Sequence, residues 1–311
     1  MKAAQISEYG STDVIQVRDI QQPIIGDEQV LVEVHAASIN PWDTMVREGR
    51  VKDVMPLELP VTLGGDLAGV VSAVGKRVTG LQAGDKVYGQ TGQTGGNTGA
   101  FAEFAAVAAD EVGHMPENLD FNAAAAVPLT GVSAWQVLVN HLKLQTGQKI
   151  LIHGGAGGIG TMAIQLAKQL GAYVATTATG DGLDYVKQLG ADETIDYKTQ
   201  RFDEVLSDYD AVFDTVGGDT YDTSFKVLKK GGVIVSMTVQ PKQELMDQYG
   251  VIALHQLTHV TTADLDTLRG FIEDGVVTVH VDKTFPLAQV AAAFEARESG
   301  SIRGKVVVTI R

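Results

Sequence analysis

The sequence predicts an α/β protein with two parts, a mostly β unit and a doubly wound parallel sheet. Three observations support this fold class. Short β-type runs separated by turn signals extend from Met1 to about Phe121, apolar strands alternate with helical patterns from Lys149 onward, and a glycine-rich turn joins the first of those strands to a helix.

The first part covers residues 1–122 and consists of short strand-like segments. Gln29–His35 and Ala68–Val74 have the composition of β strands, and turn signals lie next to strands at Gly75-Lys76 and Gly84-Asp85. We therefore expect a compact, mostly β domain here.

The composition changes after Asn122, where an alanine-rich stretch precedes the helix-like apolar spacing of Gly131–Leu138. Continuous apolar strands follow at Ile150–Ile152, Ala172–Thr176, Ala211–Asp214 and Val233–Ser236. Strands without polar alternation are buried on both faces, as in a parallel sheet covered by helices. Residues 123–258 are therefore expected to form a second, Rossmann-type domain.

The remaining segment, residues 259–311, contains an amphipathic helix around Leu287–Glu298 and a final strand at Lys305–Ile310. One late strand can return to the sheet of the first domain. We therefore expect the parallel-sheet domain to be inserted in the chain, with the first domain built from both ends.

The glycine-rich turn is the strongest functional signal. Gly155, Gly157 and Gly160 have the G-x-G-x-x-G spacing directly after an apolar strand, and helix-forming residues follow at once. Such glycines let the backbone approach a pyrophosphate, which the N–H groups and positive dipole end of the helix N-terminus attract. A tight turn that binds nothing is the alternative, but strand, turn, helix and second strand in this order favour a dinucleotide. The expected binding residues are Gly155, Ala156, Gly157, Gly158, Ile159 and Gly160.

The end of the second strand bears on which dinucleotide binds. An acidic residue about 20 positions after the first glycine would bind the ribose 2′-hydroxyl of NAD, but residues 175–180 contain none before Asp181. Thr177, Thr179 and the pair Tyr197-Lys198 are candidates to contact a 2′-phosphate. NADPH is therefore favoured over NADH.

Two basic residues have weaker claims to a function. Lys305 could bind a phosphate or the nicotinamide amide, but a lysine before a terminal strand is more often a solvated edge charge. His153 precedes the glycine turn and is interpreted as a packed or hydrogen-bonded histidine. His255 and His259 have no set of partners typical of a metal site.

Composition excludes several classes of function. The 311 residues carry a formal net charge of −14, which disfavours nucleic acid and anionic membrane surfaces as partners. Of these residues 44% are hydrophobic, which is enough for a large core. Without cysteine the chain forms no disulfide and no thiolate metal site. The first residues contain no apolar signal segment, and the apolar run Ala123–Leu129 is too short to span a membrane. A cytoplasmic location is expected.

Several segments, in order along the whole chain, resemble the medium-chain dehydrogenase/reductase superfamily, and within it the quinone oxidoreductase branch that includes zeta-crystallin. Besides the glycine turn they are Ala37–Asp43, Leu63–Val71, Gly84–Gly89, Gly99–Glu103, Ala125–Trp135, Leu189–Asp192, Ile195–Tyr197, Phe213–Gly218 and Arg303–Lys305. The resemblance implies a GroES-like domain plus a Rossmann domain, with the nicotinamide in a cleft between them.

The resemblance also assigns site residues. It implies that Asn40 and Thr130 line the cleft near the nicotinamide and are the catalytic candidates. It places the pyrophosphate on Gly157–Gly160. Further expected cofactor contacts are Thr177, Thr179 and Tyr197 around the adenosine phosphate, together with Val216, Met237, Val239, Leu254 and Lys305.

Zinc-dependent relatives use a cysteine and a histidine in the first domain, where this chain has Asn40 and the Gly65-Asp66 pair. A zinc-free enzyme is therefore expected, one that adds a hydride to an electron-poor acceptor such as a quinone or an α,β-unsaturated carbonyl. Several relatives carry a tyrosine near Met45 and a phosphate-binding lysine near Leu183, and both are absent here. Water is accordingly the expected proton source, with Asn40 orienting the carbonyl or the nicotinamide.

Two other functions stay open at this point. One is an NADPH-binding sensor or structural protein with little turnover, and the other is an enoyl-thioester reductase, against which the negative net charge argues. The small-molecule acceptor is expected to contact variable loops at Val46–Leu59 and Gln90–Thr98. The resemblance suggests a homodimer formed by edge strands of two Rossmann sheets.

Overall fold

The structure, a computed structural model, describes residues 1–92 and 99–311. The described chain divides into two compact units. One contains Met1–Leu129, His259–Gly275 and Val279–Arg311, and the other contains Thr130–Thr258 and Val276–Thr278. The chain thus changes unit after Leu129 and again after Thr258, where the sequence places borders after residues 122 and 258.

Strands and helices alternate along the second half of the described chain, whereas strands dominate the first half. The strands are β1 Lys2–Ile6, β2 Gln16–Asp19, β3 Gln29–Ser38, β4 Val61–Thr62, β5 Asp66–Val74, β6 Lys86–Gln90, β7 Phe104–Ala108, β8 Val112–His114, β9 Lys149–Ile152, β10 Tyr173–Ala178, β11 Glu193–Asp196, β12 Tyr209–Asp214, β13 Leu228–Ser236, β14 Ile252–His255, β15 Val281–Pro286 and β16 Lys305–Thr309. The α-helices are α1 Pro41–Arg47, α2 Phe121–Ala125, α3 Pro128–Trp135, α4 Gly158–Gln169, α5 Gly182–Gln188, α6 Phe202–Val205, α7 Gly218–Ser224, α8 Gln243–Tyr249, α9 Thr262–Glu273 and α10 Val290–Glu298. Turns of π-helix extend α3 over Gln136–His141.

The first unit contains two sheets around one apolar core. A three-stranded sheet has the order β2-β1-β4, and a seven-stranded sheet has the order β15-β16-β3-β5-β6-β8 with β7 also paired to β3. The core between them includes Val32, Leu67, Phe101 and Phe294. Phe294 belongs to α10, so the C-terminal helix supplies part of the core of the first unit, as the sequence predicts.

The final strand also returns to this unit, because β16 pairs antiparallel with β3 and aligns Val307 with Ser38. This pairing confirms the prediction that the last strand joins the first sheet. It also brings residues near position 305 beside residues near position 39.

The second unit is built on a parallel sheet of order β11-β10-β9-β12-β13-β14. The chain moves outward from β9 to β11 and then returns to the other side of β9 at β12, which creates a topological switch point between β9 and β12. Buried apolar residues of α4, among them Met162 and Leu166, cover the sheet. The predicted combination of a mostly β unit and a Rossmann unit is confirmed.

Among the described helices, none is long and apolar enough to cross a membrane.

Candidate active site

A buried polar cluster forms in the first unit because strand registers place its members side by side. Asp66, the first residue of β5, aligns with Ser38 on β3 and with Gln90 on β6. Asn40 follows β3 and precedes α1, and Lys305 begins β16 beside β3. Residues from β3, β6, β16 and the N-terminus of α1 therefore surround the carboxylate of Asp66.

Hydrogen bonds surround that carboxylate. Asp66 Oδ2 accepts from Asn40 Nδ2 at 2.8 Å and from Ser38 Oγ at 3.1 Å. Asp66 Oδ1 accepts from Gln90 Nε2 at 3.0 Å and from the backbone N–H of Leu129 at 3.1 Å. Asp66 is completely buried, so these bonds replace the water that a carboxylate would otherwise bind.

Lys305 supplies the positive charge of the cluster. Its ammonium donates to the carbonyl oxygen of Ile39 at 2.8 Å and to Asn40 Oδ1, and it lies 3.9 Å from Asp66 Oδ2. Burial lowers the pKa of Lys305 to about 8, although Asp66 and Asp43 act in the opposite direction. Burial likewise raises the pKa of Asp66, against the effect of Lys305. The pair thus keeps two buried charges compensated.

The backbone at Asn40 is held by the start of α1. Asp43 Oδ2 accepts from the backbone N–H of Asn40 at 2.7 Å, and Pro41 occupies the first turn of the helix, where it costs no hydrogen bond. Burial raises the pKa of Asp43 to about 7, and the charge of Asp66 adds to this shift. Asn40 itself is 2% exposed.

Gly157, in the glycine turn of the second unit, is not required by the protein's own packing. Gly157 precedes α4 with φ −80° and ψ 172°, a conformation open to most residues. A Cβ atom there would meet a single atom, the carbonyl oxygen of Gly154 at 3.3 Å. The space in front of Gly157 therefore fits a ligand that approaches the backbone at the helix N-terminus.

The other two glycines of the motif are needed for packing. A Cβ atom on Gly155 would lie 2.1 Å from Thr176 Oγ1, and one on Gly160 would lie 2.3 Å from the carbonyl oxygen of Gly154. These contacts are far shorter than van der Waals distances, so both glycines let the helix and strand close on each other.

A chain of hydrogen bonds supports the turn from inside the sheet. Gly154 N–H donates to Thr177 Oγ1 at 3.1 Å, and Thr177 Oγ1 lies 3.3 Å from His153 Nδ1. Ser224 Oγ donates to the Thr220 carbonyl, so it accepts from His153 Nε2 at 2.9 Å. Burial lowers the pKa of His153 to about 4, so the imidazole is neutral; with Nε2 donating, Nδ1 accepts from the Thr177 hydroxyl.

The chain of bonds confirms that His153 is a hydrogen-bonded interior residue, whereas contact of Thr177 with an adenosine phosphate stays a prediction. The side chain of Thr177 is 5% exposed and occupied by the turn. It therefore supports the backbone below the glycine turn.

The remaining predicted cofactor residues follow the carboxyl ends of neighbouring parallel strands. In sheet order, Tyr197 follows β11, Thr179 follows β10, the glycine turn follows β9, Val216 follows β12, Met237 and Val239 follow β13, and Leu254 lies in β14. Tyr197 and Val216 are more than half exposed. Ligands of open α/β sheets bind at this edge.

A carboxylate lies at the same edge, beside Thr179. The N–H of Lys198 donates to Asp196 at 3.1 Å, and this bond, together with the hydroxyl of Thr179, lowers the pKa of Asp196. Asp196 belongs to β11, outside the segment after the second strand where an acidic residue would bind the ribose of NAD. Its position beside Thr179 follows only from the order of the strands in the sheet.

Known proteins match the chain over its whole length. Residues 26–117 match the family described as "Alcohol dehydrogenase GroES-like domain", and residues 189–308 match the one described as "Zinc-binding dehydrogenase". The chain is 37% identical to the chloroplastic NADPH-dependent alkenal/one oxidoreductase of Arabidopsis thaliana and 36% identical to the 2-methylene-furan-3-one reductase of Solanum lycopersicum; each match covers 99% of this chain and 79% of the relative.

Solved structures agree with these matches. The quinone oxidoreductase from Coxiella burnetii superposes with a TM-score of 0.92 at 34% identity, covering 100% of this chain and 99% of that one. The Escherichia coli quinone oxidoreductase in complex with NADPH superposes with a TM-score of 0.90 at 27% identity and full coverage of both chains.

The chain belongs to the medium-chain dehydrogenase/reductase superfamily. Within it, the chain is a member of the zinc-free quinone oxidoreductase branch. The predicted family is thereby confirmed.

Burial changes the interpretation of Lys305. The sequence leaves a solvated edge charge or a cofactor contact as its alternatives, but the side chain is 5% exposed and bound to Ile39 and Asn40. The interpretation as a solvated edge charge is therefore wrong: Lys305 is an internal counter-charge 3.9 Å from Asp66. Its contact with the cofactor stays a prediction.

Two further residues named in the sequence analysis lie in helices. Thr130 belongs to α3 and is 3% exposed, and Met45 belongs to α1 and packs on the core of the first unit. Of the loops expected to contact the acceptor, residues 93–98 lie outside the described residues. Ser38 and Asp66 are absent from the predicted site residues, because an interior polar residue becomes recognisable only through its cross-strand partners. Gln90, expected in an acceptor loop, is the last residue of β6 and donates to Asp66.

Proposed function

We propose that this enzyme reduces quinones and α,β-unsaturated carbonyl compounds with NADPH and without zinc. The observation that carries the proposal is the open backbone at Gly157, at the N-terminus of a twelve-residue helix in a Rossmann sheet. The activities named for the relatives from Arabidopsis thaliana and Solanum lycopersicum support this choice of acceptor.

The residues that would hold NADPH lie along the carboxyl edge of the parallel sheet. The turn Gly155–Gly160 would bind the pyrophosphate, and Thr179, Tyr197 and Lys198 would lie around the adenosine phosphate. Val216, Met237, Val239 and Leu254 would contact the nicotinamide side. When bound, NADPH supplies the hydride.

Asn40 is the residue proposed to act on the acceptor. Hydride addition to the β-carbon of an enone shifts the C=C electron pair toward the carbonyl, so that negative charge develops on its oxygen and an enolate forms. An N–H of the Asn40 amide directed at that oxygen stabilises this charge. The α-carbon then takes a proton from water, which completes the saturated ketone. Thr130 is proposed as the second residue near the reacting carbonyl or nicotinamide.

The donor atoms at the zinc positions of related dehydrogenases do not suit zinc here. Asn40 and Asp66 are already bound to each other, and the ammonium of Lys305 would repel a divalent cation between them. In the described residues no group of three His, Cys, Asp or Glu side chains is arranged to hold a metal. Zinc-independent chemistry is therefore part of the proposal.

We also propose a homodimer formed through β14. This strand is an edge of the parallel sheet, and Ile252 at its start is 49% exposed. An unpaired, partly apolar edge can add the equivalent strand of a second copy. Sedimentation of the wild-type protein as a monomer only would reject this assembly.

The deciding experiment is a two-stage assay. NADPH and NADH are titrated separately while nicotinamide fluorescence is followed, and 1,4-benzoquinone, 3-buten-2-one and the saturated control 2-butanone are then added to the tighter complex. We expect NADPH to bind more tightly and to be oxidised by the quinone and the enone but not by 2-butanone.

Other outcomes select other functions. Tight binding without oxidation by any acceptor would favour a sensor or structural protein. Oxidation by enoyl thioesters alone would favour an enoyl-thioester reductase. Absence of binding would reject the role of the glycine turn.

A further inference from the structure

Asp66 uses its whole carboxylate to hold other groups in place. A carboxylate offers about four lone-pair sites, and Asp66 accepts from Ser38, Asn40, Gln90 and the N–H of Leu129. One of these partners matters for the proposed reaction, because Asn40 is the residue proposed to bind the carbonyl.

Lys305 and Asp66 act on opposite ends of the Asn40 amide. An ammonium only donates hydrogen bonds and a carboxylate only accepts them. The amide oxygen of Asn40 therefore faces Lys305, and its nitrogen faces Asp66. Rotating the amide by half a turn would place NH₂ against the ammonium and oxygen against the carboxylate. Both contacts would be repulsive, so one orientation is selected.

We propose that Asp66 and Lys305 are positioning residues that lock the side-chain amide of Asn40 in one orientation, with its second Nδ2–H held for the carbonyl oxygen of the acceptor. This inference rests on the proposed function. The ammonium on Oδ1 also draws electron density from the amide and makes its N–H groups stronger donors.

The lock has a consequence for substrate selection. A donor held before the acceptor arrives stabilises charge on a carbonyl oxygen, but it offers nothing to an alkene that lacks one. Acceptors are therefore conjugated carbonyl compounds, including quinones, and simple alkenes are not reduced.

A double-mutant cycle separates positioning from general stability. Asp66→Asn removes the charge and presents an amide to partners that are donors, which releases Asn40. We expect Asp66→Asn and Asn40→Ala each to lower kcat by about tenfold to hundredfold, the loss typical of one oriented donor. The double variant should be no slower than Asn40→Ala, because both act through one group. The Kd for NADPH should change by less than about twofold, because cofactor contacts are untouched.

Glu298→Gln is the matched control. Glu298 Oε1 lies 2.9 Å from Nη1 of the buried Arg47 in the same unit and does not contact Asn40. The control removes the charge of a partly buried carboxylate that pairs with the buried Arg47, so it should lower the melting temperature while kcat stays within about twofold of wild type.

Nuclear magnetic resonance tests the fixed orientation of the Asn40 amide without relying on turnover. Lys305→Gln provides a second variant if Asp66→Asn does not fold. In protein labelled with ¹⁵N-asparagine, the Asn40 side-chain signals are identified by their absence in Asn40→Ala. Wild type should give one pair of slowly exchanging NH₂ signals. Lys305→Gln should shift or duplicate that pair, because glutamine tolerates either orientation of Asn40.

The outcomes distinguish the two proposals. Additive effects of Asp66→Asn and Asn40→Ala, or an Asn40 signal unchanged in Lys305→Gln, would overturn the positioning role even in an active enzyme. A locked Asn40 signal in a wild-type protein that reduces no quinone or enone would overturn the proposed function and leave the lock supported.

Discussion

Replacing Gly157 by alanine should weaken NADPH binding strongly while leaving the stability of the free protein nearly unchanged. The new Cβ would meet only the carbonyl oxygen of Gly154 at 3.3 Å, and φ of −80° suits alanine. Gly157 is the N-cap residue of α4, where alanine is less favourable than glycine. Alanine also lowers the entropy of the unfolded chain, which offsets this cost, so we expect the free energy of unfolding to change by less than about 1 kcal/mol.

The effect on the cofactor is larger because the added methyl group lies where the pyrophosphate approaches the backbone. Losing one charge-assisted hydrogen bond costs about 1.5–3 kcal/mol. At about 1.4 kcal/mol for each factor of ten, the Kd for NADPH should rise by about tenfold to hundredfold. Fluorescence titration measures the Kd, and urea unfolding of the free protein measures the stability.

Gly160→Ala is the contrasting variant. Its Cβ would lie 2.3 Å from the carbonyl oxygen of Gly154 and 2.6 Å from Gly155 Cα, and neither backbone atom can move away alone. We expect about 1–3 kcal/mol of destabilisation even without cofactor. Gly270→Ala, where the added Cβ meets nothing within 4 Å, is the control that should change neither property adversely.

Either of two results would contradict these roles of Gly157 and Gly160. If Gly157→Ala binds NADPH like wild type, the pyrophosphate does not lie against this backbone. If Gly157→Ala unfolds as easily as Gly160→Ala, the distinction between a packing glycine and a ligand-facing glycine is wrong.

Three further predictions follow from the electrostatics of the two units. His153, with a pKa lowered from 6.5 to about 4, is neutral in the folded protein. Its contribution to stability is therefore complete above pH 6.5, and about 3 kcal/mol of it is lost as the pH falls to 4. Urea unfolding from pH 7 to 4 measures this loss, and the same dependence of the unfolding free energy on pH in His153→Asn would contradict it. Asp196→Asn should tighten NADPH by about two- to fivefold with little effect on NADH, since a carboxylate beside Thr179 repels a 2′-phosphate; equal gains for both cofactors would show that the phosphate binds elsewhere. Prolonged treatment with 1,10-phenanthroline should leave enone reduction unchanged, because the ammonium of Lys305 beside Asp66 would repel a divalent cation; loss of activity that zinc restores would contradict zinc-independent chemistry.

The sequence by itself was sufficient to predict elements whose signals are local. The spacing of Gly155, Gly157 and Gly160 after an apolar strand predicts a strand, turn and helix, because backbone conformation at such a turn depends on neighbouring residues. The uninterrupted apolar runs predict a parallel sheet, because strands covered on both faces carry no polar alternation. The return of the last strand also follows from its position after a complete α/β series.

Only the tertiary structure decided which polar residues work together. Asp66 and Asn40 are 26 residues apart, and Lys305 is 265 residues from Asn40, so no local pattern links them. Their contact depends on the registers of β3, β5 and β16, which are set by core packing over the whole sheet. The fold likewise decided the contacts of Thr177, whose side chain is 5% exposed and whose hydroxyl accepts from the N–H of Gly154. A side chain's environment is a property of its neighbours in space, and for a buried charge that environment determines its function.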